Sequence, residues 1–355
     1  MKKVLATILA LVMALSVTTM AWADDVAKIG NTGYATLKEA IEHVANGETI
    51  VLTANVNNGD GIVVASGKNF TLDFAGHTYT ITQNVVGSTG TESQCFQLLK
   101  DSTITMKDGA IVANCAGAKM IIQNYCNLTL DNMILDATAG NNNVGYVVSN
   151  NCGNVVIKNG TTITAKTTGV AFDVYGGFQN YGDVSVTLEA GATVNGKVEV
   201  ARGTGTQNKN TLTVTGGTVN GELVVTENEN TEVAITGGTF SSDVSAYAAG
   251  NTPVASNNGT YYVGAETIQN AANTLSAGQQ LKIEKGTVTI NGNTVTAGTS
   301  YTVPSRYYYY QPTTDTKTDN TKGSPKTFDA GIALYVGMAL TSAAGVAFVG
   351  KKRED

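Results

Sequence analysis

Arginine, proline, tryptophan and histidine are all scarce in this sequence. Its 355 residues include three Arg, four Pro, one Trp and two His. With four Pro beside 40 Gly and no Gly-X-Y period, both a collagen-like chain and a Pro-rich disordered one are excluded. Charged side chains make up 14% of the residues, well below the ~25% usual in soluble domains, while 42% are hydrophobic. Such a chain is too apolar and too weakly charged to stay unfolded, and it must bury a core. A formal net charge of -6 argues against nucleic acid or anionic lipid as the main partner. There is no Cys-x-x-Cys pair, His-Glu-x-x-His, phosphate-binding loop or dinucleotide fingerprint, so no cofactor is implied.

The two ends read as targeting segments. Lys2-Lys3, an apolar run from Val4 to about Val17 and then Ala21-Trp22-Ala23 before Asp24 have the layout of a secretory signal peptide over 1–23. Cleavage before Asp24 leaves 20 basic against 28 acidic residues, a net charge of -8. Near the other end, 330–350 is uncharged and long enough to span a bilayer. The Lys351-Lys352-Arg353 cluster in the tail 351–355 would hold that end in the cytoplasm and leave the rest of the chain outside. The stretch Pro325-Lys326-Thr327-Phe328, set just before this run, resembles the cell-wall sorting signal of Gram-positive surface proteins. The resemblance is partial, because Ser324 stands for the family's Leu and Phe328 for its Gly. It implies a sortase-like transpeptidase cutting after Thr327, or retention through the apolar helix as a membrane anchor.

Between these ends the chain repeats. Phe70-Thr71-Leu72-Asp73, Ile104-Thr105-Met106-Lys107, Leu128-Thr129-Leu130-Asp131 and Val186-Thr187-Leu188-Glu189 share one alternating pattern, the mark of a strand with one buried face. From Leu72 the equivalent apolar position recurs at Met106, Leu130, Ile157, Leu188, Val214 and Ile235, at intervals of 21 to 34 residues. Gly109, Gly160, Gly191, Gly217 and Gly238 follow three residues later and suit turns that need positive φ. A second strand-like run precedes several units, among them Phe96–Leu99, Tyr146–Val148 and Val170–Val174. Two or more short strands per unit, with connections too short for a crossover helix, predict an all-β fold in which seven coils stack as a parallel β-helix over 49–259. An antiparallel sandwich is the competitor, but it would not keep equivalent residues in register down seven units.

With the apolar positions inside, Thr71, Thr105 and Thr129 form an outward column. The next column reads Asp73, Lys107, Asp131, Lys158, Glu189, so its signs alternate down the stack. That order places opposite charges side by side and opposes any register slip. Thr36 to Gly47 reads as an amphipathic helix with its apolar stripe at Leu37, Ala40, Ile41 and Val44, a cover for the first coil within 24–48. Residues 260–304 are expected to form a small C-terminal module, and 305–329 a spacer that carries the sorting-like motif.

Tyr34 to Ile41 leading into Gly47 to Leu52, together with Ile235-Thr236-Gly237-Gly238-Thr239-Phe240, resembles the right-handed parallel β-helix, pectate-lyase-like surface proteins of gut Firmicutes. The resemblance implies an extracellular, surface-tethered protein, with adhesion or glycan binding as its activity. The same fold hosts polysaccharide lyases and glycoside hydrolases, so catalysis must be sought residue by residue. Glycosidases need a pair of carboxyl groups at a set separation. Asp173 with Tyr175, Asp183 and Arg202 is the best constellation the sequence offers for an enzyme. Binding has more to work with: Tyr146, Tyr175, Phe178 and Tyr181 gather around the loop after Tyr175, and flat aromatic faces stack on sugars or on a neighbour's surface molecules. The competing role for these rings is core or loop packing.

Cys126 and Cys152 lie just before the aligned strand starts Leu128 and Val155, so they are either a disulfide pair or two buried thiols. Asn124 and Asn151 sit four residues before the same starts and are expected to form an Asn ladder in a turn.

Overall fold

The computed structural model describes residues 25–203 and 208–305. The signal peptide 1–23, Asp24, the spacer with Pro325, Lys326, Thr327 and Phe328, the 330–350 span and the 351–355 tail lie outside the described residues. Within them the chain is a β-solenoid whose strands form three faces, the last coil contributing to two of them. The first face carries eight parallel segments, from Thr49–Leu52 and Asn69–Asp73 to Asn210–Val214 and Thr231–Ile235. The second runs from Val56–Gly59 to Gly238–Phe240, and the third has seven strands, from Ile62–Val64 to Leu223–Val225. Eight coils replace the expected seven, because Thr49–Leu52 already pairs with Asn69–Asp73, with Ile50 facing Leu72. At about 4.8 Å per coil the stacked first face is roughly 34 Å long.

The inner column of the first face is unbroken. Leu72 faces Met106, Met106 faces Leu130, and the line continues through Ile157, Leu188 and Val214 to Ile235. All seven side chains are buried in one continuous core. The second face adds its own inner column, from Tyr79 through Ile111, Leu135, Ile163, Val194 and Val219 to Phe240. Outside, Lys107 Nζ lies 2.8 Å from Asp73 Oδ2, and Lys158 Nζ 3.6 Å from Asp131 Oδ2.

The corner between the first two faces needs a left-handed residue, and the chain supplies it in two ways. Gly160, Gly191, Gly217 and Gly238 take positive φ in four coils. In two others Asp108 and Asn132 do so, with φ of 57° and 54°, since their short polar side chains tolerate that region. Gly109 is therefore not the positive-φ residue of its coil. A Cβ there would collide with Phe74 and the His77 carbonyl of the coil below, so close approach is what requires glycine.

Antiparallel strands close both ends of the large sheet. Ala27–Ile29 pairs with the first-coil strand Thr49–Leu52, which masks an edge that would otherwise template pairing with another chain. The helix Leu37–His43 follows; Thr36 Oγ1 accepts the N–H of Glu39 at its start, and Leu37, Ala40 and Ile41 enter the solenoid core. At the far end Thr260–Val263 pairs antiparallel with Gly238–Phe240 and passes the sheet on to Val254–Asn257 and Gln280–Lys285. Beyond this point Ile268, Ala271 and Ala272 of the helix Ala265–Thr274 form a second core with Leu281, Ile283 and Ile290.

Candidate functional site

The third face positions the site. Its central column reads Val63, Gln97, Gln123, Ser149, Asp173, Glu199, each in register with the next. Val63 is 43% exposed and shows that the column points outward. Asp173 is nevertheless 0% exposed. Its Oδ1 accepts the N–H of Asn150 at 2.7 Å and its Oδ2 the hydroxyl of Ser149 at 3.2 Å. Burial raises its pKa to about 7, against the opposing pull of Arg202 and of these hydrogen bonds, and Glu199 adds to the rise.

The lid over Asp173 is Arg202. Its guanidinium sits 4.7 Å from the ring centre of Tyr146 and 4.6 Å from that of Tyr175, a cation held between two aromatic faces. Arg202 Nε lies 3.5 Å from Asp173 Oδ2, within ion-pair reach, but makes no hydrogen bond. Arg202 Nη1 donates to the Tyr146 hydroxyl at 3.0 Å, and that hydroxyl donates to Glu199 Oε2 at 3.2 Å. Lys197 Nζ, 3.6 Å from Glu199 Oε1, completes the polar chain.

Tyr175 joins this clamp to an aromatic cluster. Its ring centre is 5.9 Å from that of Phe178, edge to face, and Phe178 meets Tyr181 at 5.9 Å and Tyr125 at 6.0 Å. Tyr125 and Tyr181 are 4.9 Å apart, and burial pushes the Tyr125 hydroxyl up to about 12. Phe178 and Tyr181 are 38% and 40% exposed. The loop is held by amides of the next coil: Asn210 Oδ1 accepts the N–H of Gly176 at 2.6 Å, and Asn208 Nδ2 donates to the carbonyls of Gly176 and Phe178. Lys100 Nζ donates to the Asn180 carbonyl at 3.0 Å and stands 6.0 Å over the Tyr181 ring. Beside Tyr181 and Tyr125 opens a cleft of about 200 Å³ that reaches Lys100, Asp101, Cys152 and Asp183. That is smaller than the ~300–1,000 Å³ of small-molecule pockets and suits contact with part of a longer ligand.

The structure thus divides the four aromatic candidates. Phe178 and Tyr181 stand at the surface with Tyr175 at their root, whereas Tyr146 packs on Arg202 at the other end of the run. Arg202 joins Asp173, but Asp183 does not; its Oδ1 accepts the N–H of Lys209 at the loop's far end. Glu199, Tyr125, Lys100 and Asn210 were missed by the sequence reading. Glu199 was within reach of it, since the coil register sets it beside Asp173.

All four cysteines are free thiols. Cys126 Sγ donates to Asn124 Oδ1 at 3.2 Å and Cys152 Sγ to the Tyr125 carbonyl at 2.8 Å. The Asn ladder forms with a different partner from the one expected: Asn124 Nδ2 donates to Asn150 Oδ1 at 3.3 Å, because Asn150 and not Asn151 is in register with Asn124. Asn151 instead donates to the Ser149 carbonyl. Among the described residues no helix is long and apolar enough to cross a membrane, and no three His, Cys, Asp or Glu side chains group as metal ligands. Set against family models, curated proteins and solved structures, the chain finds no match in any of the three.

Proposed function

We propose that this chain is a non-catalytic binding module displayed on a cell surface, and that the loop aromatics Phe178 and Tyr181, with Tyr175 and Tyr146 behind them, take a glycan or a glycan-bearing surface molecule. The observation that carries the reading is the pair of exposed rings fixed in place by Tyr125, Lys100 and the Asn208 amide. Rings kept exposed yet rigid offer flat apolar area at little cost in conformational entropy on binding. The small cleft beside them matches a site that grips one or two units of a longer polymer.

In this reading the chain is a right-handed β-helix of the Gram-positive surface type, exported by 1–23 and tethered through Pro325–Phe328 and 330–350 to wall or membrane. Mass spectrometry of the cell-surface form tests the tether: a peptide ending at Thr327 joined to wall material means transpeptidation, and an intact Asp355 means membrane retention.

A glycan array probed with the chain, and with Phe178→Ala combined with Tyr181→Ala, tests the binding reading. Loss of two stacking rings at ~0.5–1.5 kcal/mol each should weaken binding roughly 5- to 150-fold. Unchanged binding by the double variant would remove the site. A second reading, polysaccharide cleavage, is favoured by one observation, the carboxyl groups of Asp173 and Glu199 on neighbouring coils. The burial of Asp173 beneath Arg202 weighs against its touching a substrate. Release of unsaturated or reducing sugars from a polymer, abolished by Glu199→Gln, would establish that reading in place of the first.

A further inference from the structure

The turn from the third face back to the first holds two thiols on adjacent coils. Asn124 is in register with Asn150 and Leu128 with Val155, so the upper coil gains one residue between these points and Cys126 lies against Cys152 and Gly153. Parallel neighbours are about 4.8 Å apart, inside the ~4.4–6.8 Å Cα separation that a disulfide spans. Cys152 Sγ already reaches across the coil boundary, donating at 2.8 Å to the carbonyl of Tyr125, the residue joined to Cys126. Cys126 Sγ remains on its own coil, with the Asn124 side chain and the Asn127 carbonyl. Both cysteines line the cleft beneath Tyr125 and Tyr181, so a small molecule that enters the cleft meets them.

We propose that Cys126 and Cys152 are a dithiol modification site, which closes to an intramolecular disulfide when the S–S bond of a small disulfide such as oxidised glutathione is presented at the mouth of the cleft. Cys152 is the first nucleophile. Burial raises its pKa and Asp101 adds to the rise, with Lys100 as the one opposing charge, whereas Cys126 is pushed up to about 12 by burial and by Cys152; Cys152 is also the thiol whose Sγ already crosses the coil boundary. The Cys152 thiolate attacks one sulfur of the small disulfide, forming a mixed disulfide and expelling one thiolate. Cys126 then loses its proton to solvent and attacks the Cys152 sulfur, expelling the second thiolate. Two protein thiols are oxidised and one small disulfide is reduced to two thiols, so electrons balance.

The bond would staple the coil that carries Tyr125 to the one that carries Gly153. The Gly153 N–H donates to the carbonyl of Asp183 at the end of the aromatic loop, so oxidation would stiffen both walls of the cleft. The pair does not depend on the glycan reading, since the test below reads a mass and not a ligand.

The full chain is reduced, exposed to oxidised glutathione, alkylated and cut with trypsin. The peptide from Met120 to Lys158 contains both Cys126 and Cys152 and no internal Lys or Arg, so the bond appears as loss of two hydrogens from one unalkylated peptide. The expected result is that species as the major form, and a lasting glutathione adduct on Cys152 in the Cys126→Ser variant. Alkylation of both cysteines, a persistent glutathione adduct in the unsubstituted chain, or a link between the peptides holding Cys95 and Cys115 instead would each overturn the proposal.

Discussion

Arg202 covers Asp173: its Nε stands 3.5 Å from a carboxylate that is wholly shielded from solvent, and the tyrosines at 146 and 175 hold the guanidinium there. The arrangement gives the fold a pH dependence of predictable sign. Asp173 has its pKa raised to about 7 in the folded chain, chiefly by burial, against ~3.9 when unfolded. Between these values the folded chain holds a proton that the unfolded chain lacks, so this contribution to stability is complete below pH ~4, falls as pH rises toward 7 and is flat above it. Three units correspond to at most about 4 kcal/mol. Urea unfolding at pH 5 and pH 8 should show the folded chain weaker at pH 8, and Asp173→Asn should remove most of that difference. An equal difference in the variant would assign the dependence to other groups.

A second prediction contrasts two residues only four positions apart. Leu130 is fully buried between Met106 and Ile157, whereas Ile134, in the same continuous strand Asn127–Asp136, is 50% exposed on the second face. Leu130→Ala should cost about 2–5 kcal/mol through lost burial and the cavity left behind. Ile134→Thr should change stability by less than about 0.5 kcal/mol. Denaturant midpoints for the two variants measure both, and a similar loss in each would mean that the strand does not turn the corner between them.

The register of the first face was legible because most coils from Leu72 to Ile235 repeat the same Thr-flanked apolar step, Ile157 between Val156 and Lys158 being the exception. The second face was hidden by its brevity. Thr162–Thr164 and Thr193–Asn195 are three residues long, too short to show a period, and in the coils of Met106 and Leu130 the corner falls on Asp108 and Asn132 inside what reads as one long strand. The site was legible in part for a related reason. Phe178 and Tyr181 are near neighbours of Tyr175 in sequence, so their cluster shows locally, but Tyr125 and Lys100 reach it from earlier coils, 50 or more residues away. Only the stack brings them together. Asp173 on an outward position reads as exposed, and its burial follows from Arg202, held over it by Tyr146 and Tyr175, which alternation within one strand does not encode.

The third prediction concerns the charged outer column. Lys107 Nζ lies 2.8 Å from Asp73 and 2.9 Å from Asp108, while Lys158 has a looser contact of 3.6 Å with Asp131. Asn132, and after it Lys107, holds the Asp108 carboxyl below the usual range, and the two carboxylates keep the Lys107 ammonium charged to unusually high pH. All of these groups are partly exposed, so solvent and salt screen them, and exposed pairs are worth ~0.2–1 kcal/mol. Lys107→Glu replaces two attractions with a cluster of three carboxylates and should cost more than about 1 kcal/mol. Lys158→Ala, which removes one loose contact, should cost less than about 0.5 kcal/mol. Raising the salt from 50 mM to 1 M shortens the Debye length to about 3 Å and should recover much of the Lys107→Glu loss while leaving Leu130→Ala unchanged. Unfolding midpoints at both salt concentrations decide it. If salt leaves the Lys107→Glu deficit intact, the loss comes from packing at the Asp108 corner, and the alternating charges contribute nothing to holding adjacent coils in register.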